Sequence, residues 1–260
     1  MAIRRPQGAR RPQGARRPVL PAGRRVGPGR ASPRERTLAG WAGMAGACCY
    51  SWYLAAPLFG TRLDPTRAYV SEFAVPGSPG SAWFRIADVA AGVLIILLAA
   101  GLQRSAVRPV DRRETVGAAA VAVVGLTAVV DGLHPMECAP SADPACRLAE
   151  QAQPLMGQLT DLHTLSGLAG VAAATTAMVT LSRPRAGDRP RRTGVRPGQV
   201  CAAALVLLAA VVSVLALTGA DGVGVVEHLQ LMLVAGWVAA VSAMLVGSRR
   251  SRREVMDRAR

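Results

Sequence analysis

The chain has no lysine: all 31 of its basic residues are arginine. Together with its Ala, Gly, Val and Pro content, this points to a GC-rich coding sequence of actinobacterial type and says nothing about mechanism. Aromatics are scarce, at 4% of 260 residues. They do not interleave with the arginines, so nucleic acid is not an expected partner. Histidine occurs three times, at 134, 163 and 228. No two are four residues apart, so no helix offers a preformed pair of metal ligands. No Walker motif, nucleophile elbow, kinase signature or haem motif occurs, and nothing reads as a soluble catalytic domain. No apolar run alternates with polar residues, so there is no strand signal.

Six apolar runs are present, at residues 38–59, 83–102, 115–133, 162–181, 200–218 and 223–246. At about 1.5 Å per helical residue, roughly 20 residues cross a hydrocarbon core of about 30 Å. Asp88 and Asp131 shorten the second and third runs. The small residues that fill the runs suit close helix packing in lipid, where an unbroken helix satisfies its own backbone. The expected fold is all-α: a polytopic membrane protein built as a six-helix transmembrane bundle over residues 38–246. Trp41, Trp52, Trp83 and Trp237 read as interfacial anchors. Ser166, Thr175, Thr176 and Ser213 read as packing hydroxyls.

The arginines set the expected orientation. Eleven lie in residues 1–37, four in 103–114, six in 182–199 and six after Val246, which makes 27 of the 31 on one side of a six-span scheme. The positive-inside rule then puts both termini in the cytoplasm of a bacterial plasma membrane. The net charge of +15 is accounted for by arginines that meet anionic lipid headgroups at the cytoplasmic face. Residues 1–37, with "RRPQGA" in tandem, are expected to be a disordered arm. Residues 247–260 are expected to be a basic tail. Proline after each early arginine pair argues against a twin-arginine signal, and the first run is read as a retained helix.

On this scheme residues 134–161 lie outside the cytoplasm, with Cys138 and Cys146 among them. A disulfide is the leading reading in a compartment that oxidises thiols. Two free thiols, or a metal pair with His134, are the alternatives. Cys48, Cys49 and Cys201 lie within runs and read as packing residues. The three histidines also map to the outer side, each with an acid nearby: Asp131 before His134, Asp161 before His163, and Glu227 beside His228. Asp88 lies at ion-pair spacing from Arg85. The first outer loop, "LDPTRAYVSEFAVPGSPG", adds Asp64, Ser71 and Glu72.

Ser71, Asp88, Asp131, His134, Asp161, His163, Glu227 and His228 therefore form a candidate polar mouth for a lipid headgroup or small solute, with no cofactor. The alternative is a zinc site. His134, His163 and His228 would be ligands and Asp131 a ligand or base, for hydrolysis of lipid esters or amides at the outer leaflet. A transporter is the third reading, opposed by the lack of mid-membrane charge and of a visibly broken helix. The lipid bilayer is the one expected partner, and the sequence sets no oligomeric state.

The order "YVSEFAVPGSPGSAWF", "VVDGLHP", "DLHTLSGLAG" and "GVGVVEHLQ" resembles the six-span bacterial membrane proteins of the domain of unknown function 998 family, over roughly residues 40–246. The resemblance implies that Ser71, Asp131 and His163 are its marker positions. Where the family's last helix often opens with Gln-Arg, this chain has Glu227-His228. A more distant similarity is to the transmembrane hydrolases that include alkaline ceramidases and adiponectin receptors. Those have seven spans and paired histidines, and neither Ser-x-x-x-His nor His-x-x-x-His occurs here.

Overall fold

The computed structural model describes residues 31–105, 112–182 and 196–258. Most of the expected disordered arm, and parts of two arginine-rich links, lie outside these. The last residues of the arm do not conform to the expectation. Ser32 caps helix α1 (Pro33–Tyr50) by accepting from the Glu35 N–H at 3.2 Å, and the Glu35 carboxylate accepts from the Ser32 N–H. This capping box, with Pro33 in the first turn, starts the helix before the apolar run begins.

The first expected span, 38–59, is not one helix. α1 ends at Tyr50, and a 3-10 helix follows over Trp52–Phe59. Two local causes are visible. The Ser51 hydroxyl donates back to the Ala47 carbonyl at 3.0 Å, which loosens the end of a helix. Pro57 has no N–H to donate to the residue four before it. The 3-10 helix closes on Gly60, whose φ of 68° is left-handed.

The other runs form helices α2 (Ser81–Ser105), α3 (Arg112–Leu133), α6 (Leu162–Leu181), α7 (Pro197–Thr218) and α8 (Val223–Arg258). These five are long and apolar enough to cross a membrane. Helix α8 continues through most of the stretch expected to be a separate tail. Between α3 and α6 lie two short helices that the hydropathy pattern does not mark, α4 (Pro144–Ala152) and α5 (Leu155–Thr160). A second 3-10 helix, Val70–Ala74, sits in the loop before α2. No strand occurs among the described residues. The protein is an all-helical multi-pass membrane protein.

The long elements close into a ring. α1 packs on α2, α2 on α3, α3 on α6, α6 on α7, α7 on α8, and α8 back on α1. Ile95, Leu98, Val121, Met178, Leu205 and Val238 are fully buried along its axis. The outward faces stay apolar: on α7, Leu207, Val214 and Leu217 are exposed, as lipid-facing residues should be. Small residues set the spacing. A Cβ on Gly125 of α3 would stand 2.6 Å from the Gly92 carbonyl oxygen of α2, so these two backbones meet directly.

Candidate functional site

One end of the ring is polar. There the C-terminus of α3 meets the N-termini of α2, α6 and α8, and the loop carrying the second 3-10 helix folds across them. Each helix sends a stripe of residues at three-, four- and seven-residue steps into a common cavity: Asp131, Ala128 and Val124 from α3, and Glu227, Leu231 and Val234 from α8. This spacing keeps one face in line. The cavity has a volume of about 160 Å³. Val124 lies seven residues below Asp131, about 10 Å at helical rise, so polar groups ring the mouth and apolar ones form the floor.

Among the acids that line the cavity, Asp131 is held by a hydroxyl and faces an imidazole. The Ser166 hydroxyl donates to its Oδ1 and also reaches the His163 carbonyl, at 2.8 Å. His163 Nδ1 stands 3.5 Å from the same carboxylate oxygen, within ion-pair distance but outside hydrogen-bonding geometry. Glu227 Oε2 accepts from the Val70 N–H at 2.7 Å and so fixes the start of the second 3-10 helix over the cavity. The hydroxyl of Ser71, the next residue, contacts Met136 Sδ at 3.2 Å.

That 3-10 helix is clamped from its other side by Glu72, which is fully buried. Glu72 Oε1 accepts from the Tyr69 N–H at 3.0 Å, and Oε2 accepts from the Ser141 N–H at 3.1 Å and from the Ser141 hydroxyl. Burial pushes its carboxyl above the ordinary glutamate range, and these hydrogen bonds oppose the shift only in part. Ser141 lies between Cys138 and Cys146, whose sulfurs are at disulfide distance with Cα atoms 6.1 Å apart. Arg67 adds an exposed ion pair to Asp221 at 2.9 Å, which ties the same loop to the turn before α8.

The region that builds this ring and its mouth, residues 44–244, matches the family described as Protein of unknown function (DUF998). The chain belongs to that family. Comparison with curated proteins and with solved structures finds no match.

In this DUF998 protein, five of the eight candidate residues converge: Ser71, Asp88, Asp131, His163 and Glu227 all line the cavity. Three do not. His134 is exposed just past the end of α3. Asp161 caps α6, accepting from the Thr164 N–H at 3.0 Å. His228 turns away from the mouth: its Nδ1 pairs with the Gly224 carbonyl at 2.7 Å, and its ring packs edge-on against Tyr53 at 5.0 Å. Among the described residues no three His, Cys, Asp or Glu side chains stand close enough to hold a metal ion. The His134, His163, His228 and Asp131 zinc set therefore does not assemble among the described residues.

The expected Arg85–Asp88 pair is also absent. Arg85 Nε donates instead to the Gly132 carbonyl at 3.1 Å, which leaves Asp88 to the cavity. Four groups contribute more to the site than their sequence context indicates. Ser166 is a partner of the Asp131 carboxylate, beyond helix packing. Gln230 lines the cavity with a buried Oε1 that has no partner. Tyr50 and Trp52 are wall residues, although Trp52 reads as an anchor from sequence. The signal for two of them was spacing: Ser166 follows His163 by three residues, and Gln230 follows Glu227 by three, so each shares its neighbour's face. Of the other anchors, Trp41 and Trp83 are exposed, whereas Trp237 packs against the core.

Proposed function

We propose that this end of the bundle is an outward-facing pocket of a bacterial plasma-membrane protein, and that it binds a small solute or a lipid headgroup. The convergence of Ser71, Asp88, Asp131, His163 and Glu227, from separate elements, on one cavity with an apolar floor carries the reading. Polar groups at this position in a lipid-embedded bundle are costly unless they face a cavity or a ligand. The outward orientation draws its support from the arginine distribution and from the paired cysteines at this end. The opposite end, with its arginines, would then meet anionic headgroups in the cytoplasm.

The test is a thermal-shift screen of the purified full chain in detergent against small polar solutes and headgroup analogues. Gly167 lines the cavity, and a Cβ there meets nothing within 4 Å. Gly167 is itself exposed, so Gly167→Leu adds bulk at the open edge of the cavity without a clash and should weaken any shift. Hits that persist in full in that variant, or no hit at all, would overturn the pocket.

A specific observation supports a second reading, a small-solute carrier. The first span changes from α to 3-10 geometry beside the cavity, where Tyr50, Trp52 and Tyr53 line it. Transporter sites form where membrane helices are interrupted. Accumulation of a screening hit inside proteoliposomes, weakened in Gly167→Leu, would separate a carrier from a binding protein.

A further inference from the structure

We propose that the ligand of this pocket is an organic ammonium ion about the size of benzene. The inference rests on the pocket reading above and names the chemical class that the pocket takes.

Charge is the first ground. Among the described residues three acids line the cavity, Asp88, Asp131 and Glu227, and no arginine does. Among the described residues His163 is the one lining group able to carry positive charge, and it faces Asp131. Glu227 has a backbone N–H from Val70. Arg85, the arginine nearest Asp88 in sequence, donates to the Gly132 carbonyl. The cavity thus gathers three acids against one imidazole, in a setting where an acid left without a cation is driven to its neutral form. A bound cation gives these acids a countercharge, whereas an anionic or neutral guest does not.

The hydrogen-bond inventory is a separate ground. Gln230 Oε1 is buried in the lining without a donor. Together with the carboxylates it offers acceptors that the N–H groups of a guest can satisfy. The third ground is the aromatic wall of Tyr50, Trp52, Tyr53 and Phe84. Ring faces attract ammonium groups more than they attract neutral polar ones.

Size narrows the choice further. A cavity of about 160 Å³ compares with the engineered void of about 150 Å³ that takes up benzene. The pocket admits one amine with a short alkyl or aryl body, which would lie on the floor of Val124, Ala128 and Val234. It is too small for a whole lipid but large enough for an amine headgroup. The ammonium can therefore come from a free amine or from a lipid.

The experiment is calorimetric titration of the full chain in phosphatidylglycerol nanodiscs with benzylamine, and with benzyl alcohol as the neutral analogue of equal size. Empty nanodiscs provide the blank. The amine should bind at least about tenfold more tightly than the alcohol, and Asp88→Asn and Glu227→Gln should each reduce that preference several-fold. Equal affinity for the two would overturn the ammonium inference and leave the pocket standing. If neither bound, the ammonium inference would fall, and the thermal-shift screen would decide the pocket on its own. Repeating the titration in phosphatidylethanolamine nanodiscs separates the two sources: weakened benzylamine binding identifies the headgroup as the occupant, and unchanged binding identifies a free amine.

Discussion

Asp131 and Gly132 are neighbours on α3 and serve opposite designs. Gly132 closes the seam with α2: a Cβ there would stand 2.6 Å from the Arg85 carbonyl oxygen. Asp131, one residue earlier, turns into the cavity and is held by Ser166. Along the seam, Gly92 and Gly125 let two backbones touch, and the interface needs no side-chain polarity. Around the cavity, carboxylates, hydroxyls and an imidazole hold the same helices apart. In lipid there is little hydrophobic drive between helices, so close packing is what joins them. The seam supplies that packing, and it leaves the α3, α6 and α8 faces free to surround a space that packing alone would have filled.

The largest expected effect breaks the seam. In Gly125→Leu the new side chain meets the Gly92 carbonyl and the Ile96 backbone, neither of which can yield without moving a helix. Overpacking of this kind costs typically 1–3 kcal/mol, and against backbone about 3 kcal/mol or more. The expected outcome is aggregation or loss of a monodisperse peak in size-exclusion chromatography. The same substitution at Gly167, on the cavity side, should leave the peak intact and the melting temperature nearly unchanged. Equal damage at both positions would erase the distinction between seam and cavity.

The next effect lies in the loops that roof the cavity. Cys138→Ser removes the link that closes the turn carrying Ser141. On the chain-entropy model a short loop contributes about 2.5 kcal/mol. Thiol labelling checks the pairing first: Cys138 and Cys146 should react only after reduction, and the reduced chain should migrate more slowly on a gel. The melting temperature of the variant should fall, and it should fall less in a background where the Glu72 clamp is already lost, because both act on the same turn.

The clamp itself gives a pH signature. Glu72 titrates above the ordinary glutamate value of 4.5 because it is buried, so the folded state holds its proton more tightly than the unfolded chain does. Its contribution is fully present below the unfolded value and is lost as pH rises through the raised one. Glu72→Gln, which cannot ionise, should flatten that part of the stability–pH profile. Ser141→Ala leaves a buried carboxylate oxygen with one donor fewer and should cost about 1–3 kcal/mol at neutral pH. Identical pH profiles for wild type and Glu72→Gln would show that the clamp is not the titrating element.

How much of this was legible in sequence follows from the range of the forces involved. The helices are local: α6 begins and ends where the run 162–181 does, because hydropathy and the Asp161 cap are both written in adjacent residues. The interruption at Ser51 was legible in principle, through Pro57, yet the apolar run continues across it and conceals it. Asp88, Asp131, His163 and Glu227 were found because charge in an apolar run is conspicuous. The fate of the histidines was not readable. His228 faces Tyr53 and Phe73, a packing choice made by residues more than 150 positions away. Arg85 likewise sits at ion-pair spacing from Asp88, and only the close approach of α3 gives it a better partner in the Gly132 carbonyl.

The smallest effect tests whether the roof is held by the clamp or by its rim. Arg67 and Asp221 pair at 2.9 Å, but their side chains are 60% and 72% exposed. Exposed pairs contribute at most about 1 kcal/mol and are screened by salt. A double-mutant cycle with Arg67→Ala and Asp221→Ala should therefore give a coupling at the lower limit of measurement, vanishing in high salt. The buried contacts of the same loop, Glu227 with Val70 and Glu72 with Ser141, should keep the second 3-10 helix over the cavity in all four members of the cycle. A ligand found in the thermal-shift screen should accordingly bind each of them with unchanged affinity. A large coupling that persists in salt would move the control of the roof from the buried carboxylates to the exposed rim.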